Sequence, residues 1–208
     1  AHGDFGDSLK QRGRTVMDII ATKFPVSARL GGMAVVLALC VGVPLGVLAA
    51  YKRGTFIDSL FSVIATCGIA VPGFVICTLL LYVFGVKLQG LPTLGLKSAQ
   101  SYIMPVVALA AYPTSYIMRL MRSSMLDVLG QDYMRTAKAK GLSQKVSLFK
   151  HALRNAILPV ITYVGPMLAY TLTGSFVTEK IFTIPGLGGE FIKAINGRDY
   201  TMIMGTTI

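Results

Sequence analysis

Residues 30–50 read LGGMAVVLALCVGVPLGVLAA, 21 positions without a charge between Arg29 and Lys52. A bilayer core takes about 20 apolar residues of helix. A charge at its centre costs about 2.5–3.5 kcal/mol, whereas each Leu, Ile, Val or Phe returns about 0.3–0.6. Three more stretches have the same character. Leu60 to Val86 is bounded by Asp58 and Lys87, Asn155 to Thr178 by Arg154 and Glu179. Ser98 to Met118 lies between Lys97 and Arg119, its apolar part starting near Tyr102. One such run fits a buried helix of a large soluble protein. Four in 208 residues leave too little polar surface to cover them.

Composition agrees. Only 14% of residues are charged and 53% are hydrophobic, with a mean hydropathy of +0.64, where a water-wetted domain carries about a quarter charged residues. The expectation is an all-α, polytopic membrane helix bundle forming a single transmembrane domain over 1–208, with spans at 30–50, 60–86, 101–118 and 155–178. Both ends read as cut, with a further span expected before Ala1 and the start of a last one at 200–208. None of the four runs holds an Asp, Glu, His, Lys or Arg. Proton-coupled carriers place Asp, Glu or His in the membrane, so either this chain does not couple to an ion or its energy comes from another subunit. Cys40, Cys67 and Cys77 lie in apolar runs without metal-ligand or C-x-x-C spacing, which suits packing residues.

Orientation is not settled by charge. The net charge is +11, yet Lys and Arg divide evenly between alternate sides, and only the net balance leans toward the 119–154 side being cytoplasmic. That segment, with eight basic and two acidic residues, is too patterned for a simple connector. Asp132 is placed to cap a short helix from Tyr133 to Lys140, with Lys138 and Lys140 favouring the dipole at its end. Gly141 suits the left-handed residue that stops it. Ser143 suits the cap of a second helix toward Asn155, on which Leu142, Val146, Phe149 and Leu153 form an apolar stripe, with Lys145, Lys150 and Arg154 off it. On these grounds the unit is an interfacial helix pair on anionic headgroups, a socket-fitting element for a cytoplasmic partner, or an element packed on the end of its own bundle. A nucleic-acid role is disfavoured, because spans clamp the unit at both ends.

The run from Asp132 through Gly141-Leu-Ser, continuing from His151-Ala-Leu-Arg-Asn155 to Pro159, resembles the "EAA" coupling loop of ABC importer permeases, more narrowly the peptide- and nickel-uptake branch. Arg135 stands where many importers have Glu, and the stretch from Gly141 to Pro159 is longer than in sugar importers; both departures are expected of the peptide branch. Gly3-Asp-Phe-Gly-Asp-Ser, Pro44-Leu-Gly46, Arg119-Leu-Met-Arg122-Ser-Ser and Thr178 to Gly188 followed by Asn196-Gly-Arg198-Asp199-Tyr200 also resemble that family, most closely the first of the two paired permeases of a peptide importer.

The resemblance implies a type I ABC importer transmembrane domain in a bacterial inner membrane. Its partners would be a second homologous permease, two cytoplasmic ATPase subunits and an extracytoplasmic substrate-binding protein. ATP and Mg would act in the ATPases, and no cofactor, metal or catalysis is expected in this chain. Residues 119–154 would be cytoplasmic, and 1–29 and 179–199 outside. The expected ATPase-coupling residues are Asp132, Arg135, Ala137, Lys140, Gly141, Leu142, Val146, Phe149 and His151. Tyr112, Tyr116, Tyr163 and Tyr170 are candidates for lining a path, packing being the plainer reading. The 87–97 stretch around Gly90-Leu-Pro92 is expected to be a plain loop. The alternatives are a nickel or other small-solute importer of the same family, and a secondary carrier or channel without ATPases.

Overall fold

The computed structural model describes residues 5–11, 13–143, 146–173 and 176–207. Its helices are α1 (Val16–Tyr51), α2 (Phe56–Ala70), α3 (Gly73–Leu80), α4 (Ile103–Leu129), α5 (Asp132–Ala139), α6 (Leu153–Ala156), α7 (Leu158–Thr173), α8 (Phe176–Ile181), α9 (Leu187–Gly197) and α10 (Tyr200–Thr207). A π-helical turn, Leu81–Lys87, follows α3, and a second, Ser147–Ala152, precedes α6. Among the described residues, Val16–Tyr51, Ala99–Leu129 and Leu158–Ile181 are long and apolar enough to cross a membrane. Phe56–Ala70 and Gly73–Lys87 make a fourth if that broken pair is one span.

Two features differ from the sequence expectation. First, α1 begins at Val16, well before the uncharged run, so Asp18, Lys23 and Arg29 lie on the same helix. Second, the 60–86 stretch is not one helix. Pro72 has no N–H to continue the ladder and disfavours helical geometry in the residue before it. Val71 accordingly turns extended at φ −77, ψ 123, after its N–H closes the last bond to Cys67.

The chain divides into two compact units: Ala1–Ala34, Gly73–Leu109 and Ala169–Ile208 form the first, Val35–Pro72 and Ala110–Leu168 the second. In the second, Val47 and Ala50 of α1, Ile117, Met121 and Met125 of α4, Met134 of α5 and Val160 and Met167 of α7 share one core with Leu148, Ala152 and Ala156. Flexible methionine fills irregular gaps where several helices meet. Where apolar side chains gain nothing by leaving lipid, small residues that admit close backbones hold helices together. A Cβ at Gly42 would lie 2.8 Å from the Thr114 carbonyl oxygen, and one at Gly46 2.6 Å from that of Met118. Gly68 of α2 likewise has Ser115 of α4 directly against it.

The first unit is tied by buried polar groups. Glu179, fully buried, accepts from Ser27 Oγ at 2.6 Å and from the Gly189 N–H at 3.2 Å, while Ser27 Oγ accepts from the Leu187 N–H at 2.9 Å. The 182–187 turn and the start of α9 are thereby seated on α1. Asp199, 2% exposed, accepts from Ser8 Oγ, Thr201 Oγ1 and the N–H groups of Leu9, Lys10 and Met202. Burial pushes its carboxyl up, but these bonds outweigh burial and bring it down to about 2. The 87–97 stretch is tied to this unit through the Gly95 N–H, which donates to the Phe182 carbonyl at 2.8 Å. Of the cysteines, Cys77 is buried against Thr178, whereas Cys40 and Cys67 are exposed in this chain.

Candidate functional site

The 132–156 unit is built from helix stop signals. α5 starts at Asp132, whose side chain, 95% exposed, caps nothing and pairs with Arg135 at 3.5 Å. The first helical bond is accepted one residue earlier, by the Gln131 carbonyl from the Met134 N–H. The expected N-cap is therefore displaced to a first-turn position, where a carboxylate still favours the helix dipole. At the other end Gly141 takes φ +75, and the Leu142 N–H reaches back to the Ala137 carbonyl at 3.3 Å. That six-to-one bond marks a Schellman stop, and glycine adopts its left-handed residue without steric penalty. Ser143 then opens the second helical stretch: its Oγ accepts from the Val146 N–H at 3.4 Å and its carbonyl from Ser147 at 3.0 Å. Residues 144 and 145, with Lys145, lie outside the described residues, as do Gly3, Asp4 and Gly174.

The structure separates the candidates by face. Ala137 and Met134 are buried, tying α5 into the core. Lys140 and Gly141 are exposed. Leu142, Val146 and Phe149, three members of the stripe, are 39, 40 and 60% exposed, while Leu153 packs against the core. The face that holds the unit down is instead Leu148, Ala152 and Ala156. Their fourfold spacing was open to reading, but the Leu142–Leu153 pattern overlaps it. His151 is half-buried, its carbonyl accepting from Asn155 Nδ2 at 3.2 Å. The same amide donates to the Tyr133 hydroxyl at 3.0 Å, a brace between α5 and the second stretch that no sequence spacing announced.

Three of the four tyrosines come together: Tyr112 and Tyr116 stack with ring centroids 6.3 Å apart, and Tyr163 lies 4.4 Å from Tyr116. Tyr170 belongs to the first unit and is 63% exposed.

A further polar centre, Asp58 with Arg122, went unrecognised in the sequence, where Asp58 stood only as the boundary of an apolar run and Arg122 only within the Arg119-Leu-Met-Arg122-Ser-Ser match. Arg122 donates through Nε to Asp58 Oδ1 at 2.6 Å and through Nη2 to Oδ2 at 2.9 Å. The Gly54 N–H adds a third bond at 3.0 Å.

A helical bundle with this arrangement has the fold of a type I ABC importer transmembrane domain. Two solved structures share it, each at 16% identity over 92% of this chain. One is an amino acid ABC transporter crystallised with histidines (TM-score 0.67, 85% of that chain). The other is the MetNI methionine ABC transporter in an inward-facing form (TM-score 0.70, 89% of that chain). The family of binding-protein-dependent transport system inner membrane components matches residues 42–208, and this chain belongs to it. It is 50% identical to the dipeptide transport system permease protein DppB of Bacillus subtilis, over 99% of this chain and 67% of that protein. It is 43% identical to the oligopeptide transport system permease protein OppB of Salmonella typhimurium, over 100% of this chain and 69% of that one. With DppB of Lactococcus lactis the identity is 41%, over 99% and 68%.

Proposed function

We propose that this chain forms the translocation pathway for di- or oligopeptides in an ATP-driven importer, pairing with a second homologous permease. Two cytoplasmic ATPase subunits would bind ATP and Mg and do the hydrolysis. An extracytoplasmic binding protein would deliver the peptide. The observation that carries this reading is the 132–156 unit. It is anchored in the core through Met134, Leu148 and Ala152, yet presents Leu142, Val146 and Phe149 uncovered beside exposed Lys140, Lys150 and Arg154. An apolar stripe with a basic rim on a rigidly stopped helix pair suits the socket of a partner protein. The peptide cargo is supported by the names of the related permeases.

In this reading residues 119–154 face the cytosol, and 1–29 and 179–199 face outward. ATP-driven closure of the ATPases pushes on the knob formed by α5 and the following turn. The unit moves as one body because Gly141, Ser143 and the Asn155–Tyr133 bond fix its corner. Asp132, Arg135, Ala137, Lys140, Gly141, Leu142, Val146, Phe149 and His151 form or support the docking face. Tyr112, Tyr116 and Tyr163, which come together in the second unit, line the peptide path.

The test is purification of the intact complex, mass spectrometry of its subunits, and uptake of a labelled dipeptide into vesicles. ATPase subunits are expected to copurify, and uptake should survive collapse of ion gradients but stop on ATP depletion. Gradient-dependent uptake that persists without ATP refutes the proposal.

A further inference from the structure

We infer that Asp58 and Arg122 form the joint through which a push on the 132–156 unit reaches α2; the inference rests on the ATP-coupled reading above. Three observations support it, all within the second unit.

The first is the rigidity of the path. α4 runs unbroken to Leu129, and only Gly130 and Gln131 separate it from α5. From Arg122 to Leu129 is about 10 Å of helix at 1.5 Å per residue. Met121 and Met125 on that stretch share the core with Met134 of α5. A displacement of α5 therefore carries Arg122 with it.

The second is the way α2 meets α4. Gly68 packs against Ser115, and Asp58, in the first turn of α2, grips Arg122. Beside the pair lies a cavity of about 170 Å³ lined by Ala49, Ser62, Ala65, Thr66, Met118 and Arg122 itself. The ion pair is a two-point hold on the first turn of α2. The other end stops at Val71-Pro72, where the helical ladder is interrupted, so α2 can tilt about it.

The third is the kind of bond. A guanidinium fork on a carboxylate fixes orientation as well as distance, which a single ammonium does not. Asp58 is 5% exposed and also holds the Gly54 N–H in the four-residue link from α1.

The test uses the complete importer with its binding protein, reconstituted in liposomes, with ATP hydrolysis and uptake of a radiolabelled dipeptide measured together. In Asp58→Asn, hydrolysis stimulated by loaded binding protein should stay within twofold of the unaltered complex, while uptake falls at least fivefold. ATP consumed per peptide then rises by a similar factor. Arg122→Lys, which keeps the charge but loses the fork, should behave likewise. Uptake within twofold of normal in both variants overturns the inference. So does a proportional fall of uptake and hydrolysis, which marks a merely structural pair. If Asp58→Asn does not accumulate in the membrane, Arg122→Lys decides, and if neither does, the pair is a folding determinant and the inference fails. An unaltered complex without ATP-dependent uptake refutes instead the reading on which it rests.

Discussion

Replacing Gly46 with alanine puts one methyl group where α1 and α4 cross. Its Cβ would lie 2.6 Å from the Met118 carbonyl oxygen, 2.7 Å from Met121 Cβ and 3.2 Å from the Arg122 nitrogen. Two of these three atoms are backbone, so no side chain can swing aside and the helices themselves must part. Overpacking a tight contact costs about 1–3 kcal/mol, and a backbone-lined site belongs at the upper end. Alanine recovers up to about 1 kcal/mol of that through its helix propensity, leaving about 2 kcal/mol of net destabilisation. For a chain of this size that corresponds to a midpoint about 4–8 °C lower. Gly32, on the same helix, has nothing within 4 Å of its would-be Cβ. Gly32→Ala should therefore keep the propensity gain and raise the midpoint by about 1–4 °C. The assay is thermal unfolding of the detergent-solubilised protein followed by the loss of its monodisperse chromatographic peak. Equal shifts in the two variants, or an unchanged midpoint for Gly46→Ala, would refute the reasoning from the crossing.

Gly141→Val forces a β-branched residue to φ +75, at a cost of at least about 1–2 kcal/mol; dipeptide uptake should fall severalfold while the amount inserted in the membrane stays unchanged, as an immunoblot against uptake would record. Ser143→Ala removes the acceptor for the Val146 N–H. A lost cap of about 0.5–1 kcal/mol should speed amide exchange over residues 146–156 about two- to fivefold, read by mass spectrometry. The Asp199 carboxyl is held at about 2, below its ordinary 3.8. Its contribution is thus full above about pH 4 and is lost as pH falls toward 2. Exchange protection of residues 8–11 should be flat from pH 5 to 8 once corrected for intrinsic rates, and lower throughout in Asp199→Asn.

Much of the bundle was readable because lipid imposes a blunt rule: a charge in the span is expensive, and Arg29, Lys52, Lys97 and Arg119 mark where that rule stops applying. The stop at Gly141 and the cap at Ser143 were readable for a similar reason, since each is a local backbone need met by one residue type. The break at Pro72 was not legible from hydropathy, which counts only apolarity, while Pro72 acts on the Val71 dihedral. The Asp58–Arg122 joint was hidden by distance in sequence, as was the Tyr133–Asn155 brace. Near Gly197 a local rule misleads: Arg198, not the glycine, takes the left-handed position at φ 55. A Cβ at Gly197 would meet only the Lys10 side chain, at ordinary contact distance.

The Asp199 cage has a consequence for how the protein is made. Ser8 and Asp199 are 191 positions apart, so the loop that α9 and α10 hold in place is made long before the residues it pairs with. Non-local closure of this kind is slow. During synthesis the loop around Ser8 must wait, unsatisfied and reachable by proteases or chaperones, until α9 and α10 have been made. Cleavage within residues 5–15 would therefore report how many copies of the nascent chain have finished assembling.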